Sequence, residues 1–403
     1  MTTILILLVF IAFTAYSYFG FHSSLKASHR KLLRVFGLLL ALIIIGNLFI
    51  WHRQLTNYGN TSIGLNLLIG LFTTLFLTLL ISLIIFLAED IVRFFIWIAR
   101  SFTKKKNYPK RVRATAQTAL ALGTFTLILV FYGVLIGFTH YKVHRVVFEH
   151  ENIPKEFDGF TIAQLSDMHL GTFGSVKQVE KGIEMLQHET FDMLVFTGDL
   201  VNNVSAEAVP YIDLLKSIKA PYGKYAVLGN HDYAHYAGRL TPHEQEDDLE
   251  QLRTYLAAMN FIVLENRHEN IHRGHKHIVL AGVENWGIAP FPQYGDLEKA
   301  LTGINDTDFV LLLSHDPSHW SKQVLNFPVQ IELTLSGHTH GMQLGIELNN
   351  FKWSPVQYRY PNWSGMHREQ NQFLYVNRGF GGIGFPGRIG IRPEITIIEL
   401  RSK

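Results

Sequence analysis

The sequence predicts a multi-pass α-helical membrane region followed by an α/β domain, on three observations. Hydrophobic residues make up 48% of the 403 and charged ones only 17%, and the excess lies almost wholly before about residue 140. From about residue 145, short β-rich runs alternate with helical patterns, as in sheets covered by helices. Nearly every one of those strong strands stops in a cluster of Asp, His or Asn.

Four apolar runs, 2–20, 33–51, 64–88 and 116–138, each approach the ~20 residues a helix needs to cross the hydrocarbon core. Residues 1–140 are therefore expected to hold about four transmembrane helices. The first run reads as a span and not a secretory signal, because Met1, Thr2 and Thr3 supply no basic start. Lys26, Arg30, Lys31 and Arg34 follow the first run; Arg100, Lys104, Lys105, Lys106, Lys110, Arg111 and Arg113 follow the third. Only Arg53 lies near the end of the second. Such basic loops face the cytoplasm, which puts the globular domain after the fourth run on the extracytoplasmic side. No ionisable residue sits in the middle of the second or fourth run, and Glu89 and Asp90 come at the end of the third. The helices read as an anchor, not a transport path.

Residues 145–403 are expected to form one α/β domain. Its strands fall at 160–165, 193–197, 225–228, 278–282, 309–314 and 331–336, with later ones at 373–377 and 395–400. Helices are expected at 176–188, 205–217 and 245–258. The net charge of +3, without a dense basic stripe in this half, excludes a nucleic-acid partner. The absence of cysteine excludes thiolate metal sites, disulfides and a Cys nucleophile, while 20 histidines are available.

The strand ends carry Asp167-Met168-His169, Gly198-Asp199, Gly229-Asn230-His231-Asp232, Ser314-His315-Asp316 and Gly337-His338-Thr339-His340. Ligands of α/β folds gather beyond the carboxyl ends of strands, so these five clusters can converge on one site. Their nitrogen and oxygen donors suit Mn, Fe, Zn, Co or Ni. Asp167 and His169, like His338 and His340, are two apart, which puts each pair on one face of an extended strand. Asp199 has two oxygens with which to bridge two cations. Gly198, Gly229 and Gly337 let the backbone turn tightly where the side chains emerge.

In order, the stretches LSDMHLG, FTGDLVN, LGNHDY, LLLSHDP and LSGHTHGMQLG across residues 165–345 resemble the motifs of the calcineurin-like metallophosphoesterase family, in its membrane-associated bacterial branch. The resemblance implies two mixed β-sheets sandwiched between helices. It also implies two divalent metal ions, manganese first, with iron or zinc as alternatives. Asp167, His169 and His340 would bind one metal; Asn230, His315 and His338 the other; Asp199 would bridge them. His231 would stand by the substrate as imidazolium, stabilising charge or protonating the leaving group, with Asp232 orienting it by a hydrogen bond. A bridging hydroxide would attack phosphorus. Leu200-Val201-Asn202-Asn203 follow Asp199, so the Tyr–Fe(III) centre of purple acid phosphatases is not expected.

The implied function is metal-dependent hydrolysis of phosphomono- or phosphodiesters at the bilayer, with lipid-linked or envelope-related substrates open. The alternative is a non-catalytic membrane sensor or scaffold that uses the same domain to bind ligand. Four weaker signals complete the reading. His268, His272, His275 and His277 suit a solvated hairpin between strands. Tyr233, His235, Tyr236, Arg239 and His243 follow the GNHD motif as a lid or surface loop. Trp353, Tyr358, Tyr360 and Trp363 suit loop packing, with a dip into the headgroup region as the other option. In the glycine-rich stretch 378–390, Arg378 and Arg388 are minor candidates for phosphate contact.

Overall fold

A computed structural model describes residues 2–24, 63–103, 107–238, 240–305, 307–348 and 351–403. They fall into two compact units that part near residues 134 and 135.

The first unit contains helices α1 (Thr2–Ser24), α2 (Ile63–Ser101) and α3 (Arg113–Leu135). Among the described residues, two stretches, Leu68–Ser101 and Arg113–Thr139, are long and apolar enough to cross a membrane. The expected span at 33–51 lies outside the described residues. Glu89 and Asp90 close the apolar run 64–88, but the helix that carries it, α2, runs on to Ser101. Their charges are absorbed locally. Arg111 pairs with Glu89 at 3.1 Å and also with Asp90, Arg93 pairs with Asp90 at 2.6 Å, and the Tyr16 hydroxyl donates to Asp90 at 2.6 Å. Arg111, read from sequence as part of a basic loop, is thus neutralised by acids of the preceding helix.

The second unit is built on two mixed sheets. In the first, β1 (Lys142–His150), β14 (Glu394–Ser402), β2 (Thr161–Leu165), β3 (Met193–Thr197), β4 (Lys224–Val227) and β5 (Phe261–Val263) lie in that order. β2 through β5 are parallel, and β14 is antiparallel to β2. In the second the order is β12 (Gly365–Glu369), β13 (Gln372–Val376), β9 (Leu333–Ser336), β8 (Val310–Leu313), β7 (Lys276–Gly282) and β6 (Arg267–Arg273). A separate hairpin pairs β10 (Ile346–Leu348) with β11 (Phe351–Trp353).

Alternation along the strands explains the layering. Ile162, Met193, Val195 and Val227 of the first sheet share one buried cluster with Leu280, Leu311, Leu313 and Leu335 of the second, so the sheets pack face to face. The intervening residues point outward. Ala163, Leu194 and Phe196 meet Val179 and Ile183 of α4 (Val176–Gln187) and Leu252 and Leu256 of α6 (Pro242–Ala258), with the short α5 (Ile212–Lys216) between them in the chain. Val279, Leu312 and Val376 meet Leu297, Ala300 and Trp320 of α7 (Leu297–Ala300) and α8 (Ser318–Lys322). Strands covered on both faces read as unbroken apolar runs, which is why the sequence exposes them. α6 opens with a capping box in which Thr241 and Glu244 satisfy each other's backbone N–H. The span 205–217, expected as one helix, is a 3-10 segment (Ser205–Tyr211) with Pro210 inside it, followed by α5.

Candidate metal centre

The carboxyl ends of β2, β3 and β4 in one sheet and of β8 and β9 in the other carry the polar clusters. Asp167 and His169 follow β2, Asp199 follows β3, Asn230 to Asp232 follow β4, His315 follows β8, and His338 and His340 follow β9. Two groups form that could each hold an ion: Asp167, His169 and His340; and Asp199, His315 and His338. Their ligand atoms lie within 4.8 Å of one another in each group.

The pairs two residues apart do not meet by strand alternation, as the spacing suggested. Asp167, His169, Asp199, His338 and His340 all have positive φ, between 44° and 68°. Left-handed backbone is costly for residues with a Cβ, and its concentration here marks loops held in place by their surroundings. The glycines explain part of that hold. Gly198 itself has φ 92°. A Cβ on Gly337 would come within 2.1 Å of the Asp167 carboxylate and 1.9 Å of the Ser166 hydroxyl, so close approach, not torsion, requires glycine there.

Hydrogen bonds aim the side chains. The Asp167 carboxylate accepts from the Ser166 hydroxyl at 2.5 Å and from the His338 N–H at 2.8 Å. His315 Nδ1 lies 2.7 Å from the Thr197 carbonyl, so it donates there and turns Nε2 toward the cluster. His338 Nε2 meets the Tyr360 hydroxyl at 2.9 Å, and that hydroxyl donates to Asp316 at 3.2 Å, which leaves Nδ1 facing the cluster. His169 Nε2 and His340 Nε2 are 3.0 Å apart, and His338 Nδ1 and His315 Nε2 are 3.2 Å apart. Asn230 donates through Nδ2 to Tyr236, and its buried Oδ1 has no partner. An orphaned amide oxygen beside paired imidazole nitrogens fits a cation-binding donor set.

The electrostatics agree. Burial lowers His169 to about 3 and His338 to about 4, and holds His340 well below its ordinary value, so these rings keep their lone pairs. Burial opposes charge on Asp199, yet His315 and His231 draw it well below the carboxylate range. Burial likewise opposes charge on His315, and the Asp199 carboxylate lifts it to about 10. Asp167 is pushed up to about 7, by burial first, with Asp199 adding repulsion. On the protein groups alone, protons occupy positions where cations would serve as well.

Asp232 does something other than expected. Its carboxylate accepts from the backbone N–H of Asp199, Leu200 and Gly229 at 2.8, 2.8 and 2.9 Å, and makes no hydrogen bond to His231. It is a buried brace that ties the β3 and β4 loops together. His231 is oriented instead by the Asn202 carbonyl, 2.7 Å from Nδ1, and by Tyr236, whose ring stacks on it at 4.2 Å. Asp316 stood in the His315 cluster, Asn202 just after Asp199 and Tyr360 in the aromatic segment, but nothing in the sequence marked them as partners of His338 or His231. Arg378 is held by Glu347 and Glu394; Arg388 is held by the Gly379 and Gly381 carbonyls, with Nη2 3.4 Å from His340 Nδ1 and Nη1 buried without a partner among the described residues. His272 and His277 are cross-strand neighbours on the β6–β7 hairpin, away from the cluster. Arg239 lies outside the described residues.

Two facing mixed sheets with a His/Asp/Asn cluster at their strand ends, behind a chain with membrane-spanning helices, define a membrane-associated metallohydrolase. A model of calcineurin-like phosphoesterases matches residues 160–342, and one described as the probable transmembrane domain of such proteins matches residues 1–138. The chain belongs to the calcineurin-like phosphoesterase family and is a metallophosphoesterase, a hydrolase of phosphoester bonds. It is 30% identical to a transmembrane protein with metallophosphoesterase domain from Danio rerio, over 77% of this chain and 71% of that one. It is 32% identical to the uncharacterized metallophosphoesterase YkuE of Bacillus subtilis, over 62% and 82%. An uncharacterized metallophosphoesterase from Aquifex aeolicus is 27% identical over 68% and 99%.

Proposed function

We propose that the protein hydrolyses phosphoesters with a dinuclear centre in which Asp199 is shared between two divalent cations. The observation that carries this is the position of one carboxylate oxygen. Asp199 Oδ2 lies 3.1 Å from His315 Nε2 and 3.5 Å from His169 Nε2, one imidazole from each cluster. Asp167, His169 and His340 would hold the first ion, and His315 and His338 the second, with Asn230 Oδ1 completing it. Nitrogen and oxygen donors without thiolate suit manganese, iron or zinc. Bound there, the pair supplies acidified water as nucleophile and neutralises a phosphoryl group.

The chain's own groups do the rest. His231 is half-buried beside His169, with ring centroids 4.9 Å apart. Its Nδ1 donates to the Asn202 carbonyl, so as imidazolium the ring would carry its second proton on Nε2 for the leaving oxygen and end as the neutral tautomer. Asp232 keeps the Asp199 loop in register through the Asp199 and Leu200 N–H groups and steadies its own loop through that of Gly229. The domain division is placed at 1–140 and 145–403, with four spans and the catalytic domain extracytoplasmic; the distribution of Lys and Arg supports this. A membrane anchor favours lipid-linked or envelope phosphoesters as substrate.

The test is turnover of paired generic mono- and diesters by the full chain, stripped of metal and reloaded with Mn, Zn or Fe. Metal-dependent hydrolysis that disappears in Asp199→Asn supports the proposal. Undiminished turnover in that variant contradicts it.

A further inference from the structure

Directly after His340 the chain alternates with its polarity inverted. Gly341, Gln343 and Gly345 are buried and Glu347 half-buried, whereas Met342, Leu344, Ile346 and Leu348 are 57%, 45%, 45% and 68% exposed. Domain surfaces normally alternate the other way, apolar in and polar out. The inner row is fixed. Gln343 Nε2 donates to the Phe385 and Gly387 carbonyls at 2.5 and 2.8 Å, and its Oε1 accepts from the Ile383 N–H at 2.6 Å. Gly345 N–H donates to the Ile389 carbonyl at 2.9 Å, and Glu347 accepts from Arg378 Nε at 2.8 Å. A one-residue slip that buried the apolar row would break all of these contacts, so the outward row is specified. Phe351, opposite Leu348 across the hairpin, extends it at 58% exposure, and Tyr358 follows at 80%.

We propose that this apolar face seats in the headgroup–acyl boundary of the bilayer that the chain itself spans. In β10, Ile346 and Leu348 face outward and Glu347 inward, as in strands that face lipid, and the 3-10 turn before it turns Met342 outward as well. The sequence also keeps lipid within reach: residues 136–141 alone separate α3 from β1, so an anchor at α3 tethers the domain whatever its orientation. Exposed aliphatic and aromatic side chains suit that boundary, and the exposed Arg359 beside Tyr358 suits anionic headgroups. Because the row begins two residues from His340, docking would set the metal cluster at the membrane surface, where a phosphoester on a lipid presents its head. This last step rests on the hydrolytic reading above; the docking itself does not.

The chain has no cysteine, so Leu348→Cys gives a single attachment point for an environment-sensitive fluorophore. Full-length protein is reconstituted in phosphatidylcholine–phosphatidylglycerol vesicles, with Glu298→Cys, an exposed position on α7, as the reference. Spin-labelled lipid should quench the label at 348 at least about fivefold more than at 298. Ile346→Asp combined with Phe351→Asp should abolish that excess while leaving hydrolysis of a water-soluble phosphoester unchanged. Equal quenching at the two positions overturns the proposal. So does label-to-label contact between copies that persists in detergent without lipid, since the face would then be a seam between chains. Quenching is read without turnover, so its failure is distinguishable from failure of the dinuclear reading.

Discussion

Individual side chains divide the site into groups that hold charge and groups that aim them. His231 belongs to neither ion cluster, and Asn202 and Tyr236 set its ring. His231→Gln should therefore retain metal while slowing turnover by about 10²–10⁴-fold, the usual range for a lost general acid. Loss of metal along with activity would instead make it a ligand. Tyr360 links His338 to Asp316 and touches no other member of the cluster. Tyr360→Phe should weaken binding of one ion by roughly 10–100-fold in a chelator competition, as removal of a ligand's outer hydrogen bond does. That Asp167, His169, Asp199, His315, His338 and His340 gather into two groups was legible because motif order and residue type survive in sequence. The role of Asp232 was not. A carboxylate next to a histidine in sequence looks like its partner, and only the folded loops reveal backbone N–H groups of Asp199, Leu200 and Gly229 competing for it.

At the scale of elements, the site depends on loops that leave strands in left-handed conformations. Gly337 permits the β9 loop to lie against Ser166 and Asp167. Gly337→Ala should push that loop off the β2 loop and cost about 1–3 kcal/mol in stability, with loss of metal affinity, measured by denaturation and dialysis. Unchanged affinity would show that the two loops are not mechanically linked. The central strands β2, β3, β8 and β9 were legible because both faces are buried and the runs are continuously apolar. β1 and β6 were not, since they form sheet edges with exposed polar residues such as Arg145 and Arg267. β10 and β11 were hidden for the opposite reason: their apolar residues point outward, where a core-seeking pattern does not look for them.

Across the whole catalytic unit, the sheets are tied by Glu394 at the start of β14 in one and Arg378 just beyond β13 in the other, 2.6 Å apart. Burial alone would raise Glu394, but Arg378 holds it at about 2, below its ordinary 4.5. A depressed carboxylate contributes stability above its unfolded value and loses it as pH falls from 4.5 toward 2, on the order of 3 kcal/mol in all. Denaturation midpoints should fall more steeply through that window in the natural protein than in Glu394→Gln, and parallel curves would count against the pair. The membrane region was legible as apolar runs, but the sequence did not reveal that Glu89 and Asp90 lie within a continuous helix and are neutralised by Arg93 and Arg111.

A centre of two ions sharing Asp199 can be tested by counting divalent ions per chain, by equilibrium dialysis and elemental analysis, in the natural protein and in Asp199→Asn. Two ions per chain are expected in the first and the loss of at least one in the second. A single ion in the natural protein, or two retained without Asp199, would contradict it.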